Sequence, residues 1–176
     1  GIPVQEYELS IWSKNADVDK KIVQSVEGKK VVSLIIDASR KFRTWGVNNF
    51  QELAKLIVRD QENIIILILA KEKMMFENIC SGEGSVHYLN LTGQLEFSKY
   101  VGVIGLSSLV IGNETGGIHV AAAKKVKSVC LLGGGHFNRF LPYPSYIEIS
   151  VEHPKTVFYF MECYNCNWQC KHKKNQ

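Results

Sequence analysis

Five short apolar runs punctuate the chain, rich in β-branched residues: "VVSLIID" (Val31 to Asp37), "NIIILIL" (Asn63 to Leu69), "VHYL" (Val86 to Leu89), "LVI" (Leu109 to Ile111) and "KSVCLL" (Lys127 to Leu132). Their apolar character is continuous rather than alternating, which predicts strands buried on both faces. The segments between them carry helical spacing. "NNFQELAKLIV" places Phe50, Leu53, Leu56 and Ile57 on one face, and "QLEFSKYVGVIG" does the same with Leu95, Tyr100 and Val101. Strands alternating with helices predict an α/β fold, a Rossmann-like three-layer domain with a parallel sheet, because parallel neighbours need crossover connections.

In open sheets of this kind ligands bind beyond the carboxyl ends of the strands, where loops lead into helix N-termini. "IGNETGGIHVAAA" (Ile111 to Ala123) has the form of a strand end, a polar glycine turn and a small-residue helix. Backbone amides at Thr115, Gly116 and Gly117 would fall in the first helical turn, where donors lack carbonyl partners and favour phosphate. A purely structural reading, with Asn113 and Thr115 capping the helix, fits the same stretch. "DASRKFRTW" (Asp37 to Trp45) supplies Ser39 with Arg40, Lys41 and Arg43 in another strand-to-helix loop. If both strands are parallel, the two loops face one anionic ligand.

Composition narrows the partners. The chain has 176 residues, 45% of them hydrophobic and 22% charged, with a formal charge of +4. That is enough for one domain with a core, and the charge is too slight for the dense basic surface of a nucleic-acid binder. No stretch has the length and apolarity of a membrane span, and the first residues lack the pattern of a signal peptide. A cytoplasmic location is expected. The five cysteines are an odd number, two of them, Cys80 and Cys130, within apolar patterns, which argues against a secreted disulfide framework. Cys163, Cys166, Cys170 and His172 form a C-x2-C-x3-C-x-H run. Free thiols are the simpler reading, because a structural zinc site usually spaces two ligand pairs around a loop; tetrahedral metal is the alternative.

"LNLTGQLEFSKYVGVIGLSSLVIGNETGGIHVAAA" followed by "KSVCLLGG" resembles the C-terminal domain of family 9 glycosyltransferases, the bacterial heptosyltransferase family of lipopolysaccharide synthesis. "ASRKFRTWGVNNFQELA" is similar to that family's Ala-Ser-x-x-x-Lys-x-Trp-Pro stretch, and the resemblance runs from about Val31 to Pro144. The chain departs from the family pattern at Glu114 (usually Asp), Gly117 (Pro), Arg43 (Lys), Gly46 (Pro) and "GGGH", Gly133 to His136, in place of Gly-Pro-Thr. Arginine for lysine keeps the charge but exchanges a point donor for a planar fork.

The resemblance implies one half of a GT-B glycosyltransferase, the half that binds a nucleotide-diphosphate sugar, with no further cofactor required. By position, Ser39 and Arg43 would contact the donor phosphates, and Thr115, Gly116 and Gly117 would cradle them. His119 would stand close by, and Thr92 would lie on the nucleoside side. The family's proposed catalytic base is an Asp of the N-terminal domain, so no catalytic residue is assigned. The expected organisation is a lead-in segment and helix at 1–30, the nucleotide-sugar-binding domain at 31–160 and a Cys-rich basic tail at 161–176. Expected partners are the donor, an N-terminal GT-B domain and a glycan or glycolipid acceptor. The alternative is a non-catalytic nucleotide-binding or interaction module with a metal- or thiol-bearing tail.

Overall fold

The computed structural model describes residues 18–59, 61, 63–76, 88–143 and 152–169. Helix α1 (Lys20–Val26) leads into strand β1 (Lys30–Ile35), followed by α2 (Val47–Val58), β2 (Ile64–Leu69), β3 (Tyr88–Asn90), α3 (Phe97–Gly105), β4 (Leu109–Asn113), α4 (Gly116–Ala123), β5 (Ser128–Leu131) and β6 (Lys155–Val157). The six strands form one sheet in the order β3-β2-β1-β4-β5-β6, and every pair is parallel. This is the Rossmann-like α/β fold expected from the alternating pattern.

The continuous apolar runs have a direct cause: β1 and β2 are covered on both faces. Side chains alternate across a strand, so Val31 and Ile35 of β1 join Ile65, Leu67 and Leu69 of β2 in one core. Val32, Leu34 and Ile36 join Ile66 and Ile68 in the other. The first core is closed by Val101, Val103 and Ile104 of α3 and by Ile118, Val120 and Ala121 of α4. The second is closed by Phe50, Ala54 and Val58 of α2. Ser33 is the polar exception in β1. Its buried hydroxyl is 2.7 Å from that of Ser107, just beyond α3, so neither is left unpaired.

Two expectations need correction. The buried stripe of α2 runs through Phe50, Ala54 and Val58, with Leu53 and Ile57 partly buried beside it, whereas Leu56 is 58% exposed. Leu56 lies two positions from Ala54, about 200° round a helix of 3.6 residues per turn, and so points away from the sheet. Strand β6 was not expected at all. It is a three-residue edge strand with both ends exposed, and it takes in only the first residue of the apolar run "VFYFM" (Val157 to Met161). The expected strand at Val86–Leu89 falls partly outside the described residues and is seen as β3 from Tyr88. No helix among the described residues is long and apolar enough to cross a membrane.

Candidate functional site

The chain moves outward from β1 through β2 to β3, then returns to place β4 on the other side of β1. Loops leaving β1 and β4 therefore part from one another, and a crevice opens at the carboxyl ends of those strands. A cleft of about 1190 Å³ occupies this position.

Asn113, the last residue of β4, ties the rim together. Its buried amide nitrogen donates to the carbonyls of Ile36 at 3.1 Å and Asp37 at 3.2 Å, while its side-chain oxygen accepts from the Trp45 amide at 2.8 Å. One side chain thus fixes both ends of the Asp37 to Trp45 loop against β4. It does not cap α4.

Within that loop Lys41–Arg43 form a single 3-10 turn, which directs Arg43 back over the crevice. Arg43 donates through Nη1 to Ser39 Oγ and through Nη2 to the Glu114 carbonyl, each at 3.1 Å. Its guanidinium also lies over the Trp168 ring, 5.4 Å from the centroid. The arginine is thereby held as a fixed fork at the cleft wall rather than as a mobile surface charge.

Thr115 stands at the N-cap of α4, yet its hydroxyl makes no capping bond. Thr115 Oγ1 is buried without a hydrogen-bond partner among the described residues, as is Arg43 Nε. A buried hydroxyl without a partner is costly unless something arrives to meet it. Next to it Gly116 is exposed, with open space where a Cβ would project. The amides of this first helical turn and the positive end of the helix dipole favour an anion here.

The cleft is not uniformly basic. Lys41, Arg43 and Lys71 line it together with Asp37, Glu72 and Glu114. Asp37 is engaged internally, accepting from the Lys71 amide at 2.6 Å. Glu114 is buried, and burial pushes its carboxyl above the ordinary range, although Arg43 and His136 pull it back in part. Glu114 thus offers an arriving anion less repulsion than its formal charge implies.

Ser39, Arg43, Thr115, Gly116 and His119 all line the cleft. His119 Nδ1 is 2.6 Å from the Tyr143 hydroxyl, and burial lowers the histidine's pKa, keeping the ring neutral. Burial pushes the Tyr143 hydroxyl up to about 12, so it stays protonated. Gly117 and Thr92 are not brought to the lining. Gly117 is buried where a Cβ would collide with the Tyr100 hydroxyl and Ile35, which makes it a packing glycine. Thr92 is buried, accepting from the Met74 amide at 3.0 Å and lying 2.7 Å from Asn90 Oδ1. It supports the loop after β2, and Met74 of that loop reaches the cleft.

The lining residues that the sequence did not single out are those of that loop, Lys71, Glu72 and Met74, and Phe140. A loop at the carboxyl end of β2 could have been included by the same rule that selected Ser39 and Thr115. Phe140 and the supporting Trp168 carry no local signal. Of the cysteine run, Cys163 and Cys166 form no disulfide among the described residues, and Cys170 and His172 lie outside them. Among the described residues no three His, Cys, Asp or Glu side chains come together as a metal site.

The sequence profile of glycosyltransferase family 9 (heptosyltransferase) matches residues 2–164. Among solved structures the chain is similar to a family 9 glycosyl transferase from Veillonella parvula DSM 2008, with TM-score 0.56 and 18% identity over 76% of this chain and 36% of that one. It is similar to the ADP-heptose LPS heptosyltransferase II of E. coli, with TM-score 0.56 and 17% identity over 80% of this chain and 44% of that one. A third is the dodecameric iron-containing heptosyltransferase TibC in complex with ADP-D-β-D-heptose, with TM-score 0.52 and 18% identity over 78% and 33%. At these identities the likeness concerns the fold, and the chain spans less than half the length of each solved protein. No curated protein sequence matches the chain.

Proposed function

The chain belongs to glycosyltransferase family 9, and on that footing we propose that it is the part of a glycosyltransferase that binds the nucleoside-diphosphate sugar. The sugar passes to a hydroxyl of a lipopolysaccharide or other surface-glycan acceptor. The bond from the anomeric carbon to the diphosphate oxygen breaks, the acceptor oxygen takes its place, and the acceptor's proton leaves to a base. Charge builds on the departing diphosphate. In this reading Arg43, the Thr115 hydroxyl and the amide end of α4 stabilise it, and fixed donors aimed at developing charge supply much of an enzyme's rate enhancement.

The observation that carries this reading is the unpartnered buried Thr115 hydroxyl beside the tethered Arg43 and the open Gly116, at the topological switch point of the sheet. An adenine nucleotide is the first donor to try, since similar solved proteins are named for ADP-heptose. In this reading a second GT-B domain supplies the base and the acceptor surface. The chain alone accordingly binds donor without transferring sugar.

Titration calorimetry with ADP and UDP tests the binding, and incubation with ADP-heptose and acceptor, followed by mass spectrometry, tests the chemistry. Saturable nucleotide binding with background turnover is expected. No nucleotide binding would leave a non-catalytic module as the better reading, and robust turnover would overturn the division of labour.

A further inference from the structure

Residues 158–169, which follow β6, return to the sheet edge of the cleft. They lie against the three consecutive glycines that follow β5, and the fit requires all three. A Cβ on Gly133 would come 2.6 Å from Trp168 Cη2, one on Gly135 would enter the same indole, and one on Gly134 would enter the Tyr164 ring. Backbone bonds lock the contact: the Asn165 amide donates to the Gly134 carbonyl at 2.7 Å and the Asn167 amide to the Gly135 carbonyl at 2.9 Å. The Asn167 side-chain oxygen lies 3.1 Å from His136 Nε2.

To make these contacts the chain turns through three left-handed residues, Asn165 at φ 62°, Asn167 at 51° and Trp168 at 60°. Asparagine tolerates that region, but a bulky residue there is a true outlier, held only where the surroundings over-determine it. The result of holding Trp168 so is that its ring lies between Phe42, His136 and Arg43. Ring centroids are 5.2 Å apart with Phe42 and 5.8 Å with His136, and the Arg43 guanidinium is 5.4 Å from the indole centre. Ser39 and Glu114 fix one edge of Arg43, and Trp168 supplies its face.

We propose that the docked segment Tyr164–Trp168 is a working part of the anion site, with Trp168 as the positioning residue that holds Arg43 at the cleft. This rests on the donor-binding reading for its ligand, but not for its geometry. The long stem of an arginine has many staggered rotamers of similar energy, so an aromatic ring beneath the guanidinium favours the one rotamer that presents its fork to an anion. Trp168 Nε1 and Arg43 Nε both lie buried without a hydrogen-bond partner among the described residues, so the contact between the two side chains is one of cation with ring face.

Two readouts on the full chain separate the geometry from the ligand. In 15N-labelled protein the Arg43 Nε–Hε resonance, identified by its loss in Arg43→Lys, should be displaced by the indole. It should move to the position of solvent-exposed arginines in Trp168→Ala and remain largely displaced in Trp168→Phe. Gly135→Ala, which pushes against the ring without removing it, should shift the resonance as well. By calorimetry Trp168→Ala should weaken ADP about five- to thirtyfold and Trp168→Phe by no more than about threefold. Combined with Arg43→Ala, Trp168→Ala should add no further loss. An unmoved resonance in Trp168→Ala, or an equal loss of affinity with and without Arg43, would overturn the positioning role. A wild-type chain that shows the displaced resonance but binds no ADP would overturn the donor reading and leave Trp168 as the residue that positions Arg43.

Discussion

Glu114 meets Arg43 twice: its main-chain carbonyl accepts from Nη2 at 3.1 Å, while its carboxylate stays 3.7 Å from the same nitrogen. Neither carboxylate oxygen has a hydrogen-bond partner among the described residues. The ion pair is therefore looser than the backbone contact, and burial dominates, raising the carboxyl above its usual 4.5. With the folded pKa above the unfolded one, the folded state binds the proton more tightly. The associated stability is fully present below about pH 4.5 and is lost as pH rises through the folded pKa. Glu114→Gln removes that titration. The melting temperature of the variant relative to wild type should rise steadily between acidic and neutral pH; parallel melting curves across that range would sink the argument.

Arg43→Ala should weaken ADP binding by about ten- to a hundredfold, the usual consequence of losing a charged hydrogen bond to an anion. Arg43→Lys keeps the charge but cannot span both Ser39 and the Glu114 carbonyl. Its affinity should fall between the two. Calorimetry on the three proteins decides it, and equal affinities would remove Arg43 from the site.

Asn113 is the structural hinge pin of the same rim. Asn113→Ala abandons the Trp45 amide and the Ile36 and Asp37 carbonyls together. Unpaired buried groups cost roughly 1–3 kcal/mol each, part of which loop relaxation recovers, so a loss of about 2–4 kcal/mol is expected. Asn113→Asp should fare worse, since a carboxylate would face two carbonyl oxygens with no proton to offer. Urea unfolding measures both, and a change under about 0.5 kcal/mol, the ordinary range for surface substitutions, would show that the amide bonds are dispensable.

What could be read from the sequence divides along a physical line. Strands β1, β2, β4 and β5 were legible because burial on both faces leaves an unbroken apolar run, as in Ile64–Leu69. Ser39, Arg43 and Thr115 were legible because their place in strand-to-helix loops determines where they point. Contacts between distant segments left no such mark. Gly117 looks like a ligand-approach glycine until Tyr100 and Ile35 are seen against it. Thr92 looks like a loop hydroxyl free for a ligand until Met74 is seen to use it. Trp168 lies 125 positions from Arg43, and nothing near it in the chain announces the stacking.

Adjacent glycines at the start of α4 offer a separation of packing from binding. A Cβ at Gly117 would collide with the Tyr100 hydroxyl and the Ile35 side chain, both within the core, whereas one at Gly116 would meet nothing within 4 Å. Gly117→Ala should therefore destabilise the fold by about 1–3 kcal/mol, the usual cost of forcing extra volume into a packed site. Gly116→Ala should leave stability unchanged or raise it by about 0.5–1 kcal/mol, because alanine is the better helix former and reduces the freedom of the unfolded chain. Its methyl group would nonetheless project into the open space beside Thr115, where the proposed diphosphate approaches the helix amides. The expected result is a stable protein that binds ADP at least about tenfold more weakly, a loss of roughly 1.4 kcal/mol. Melting curves and calorimetry on the two variants test the division. If Gly116→Ala binds like wild type, the diphosphate does not rest on the first turn of α4, and the anion site must be sought along the Lys41 and Lys71 side of the cleft.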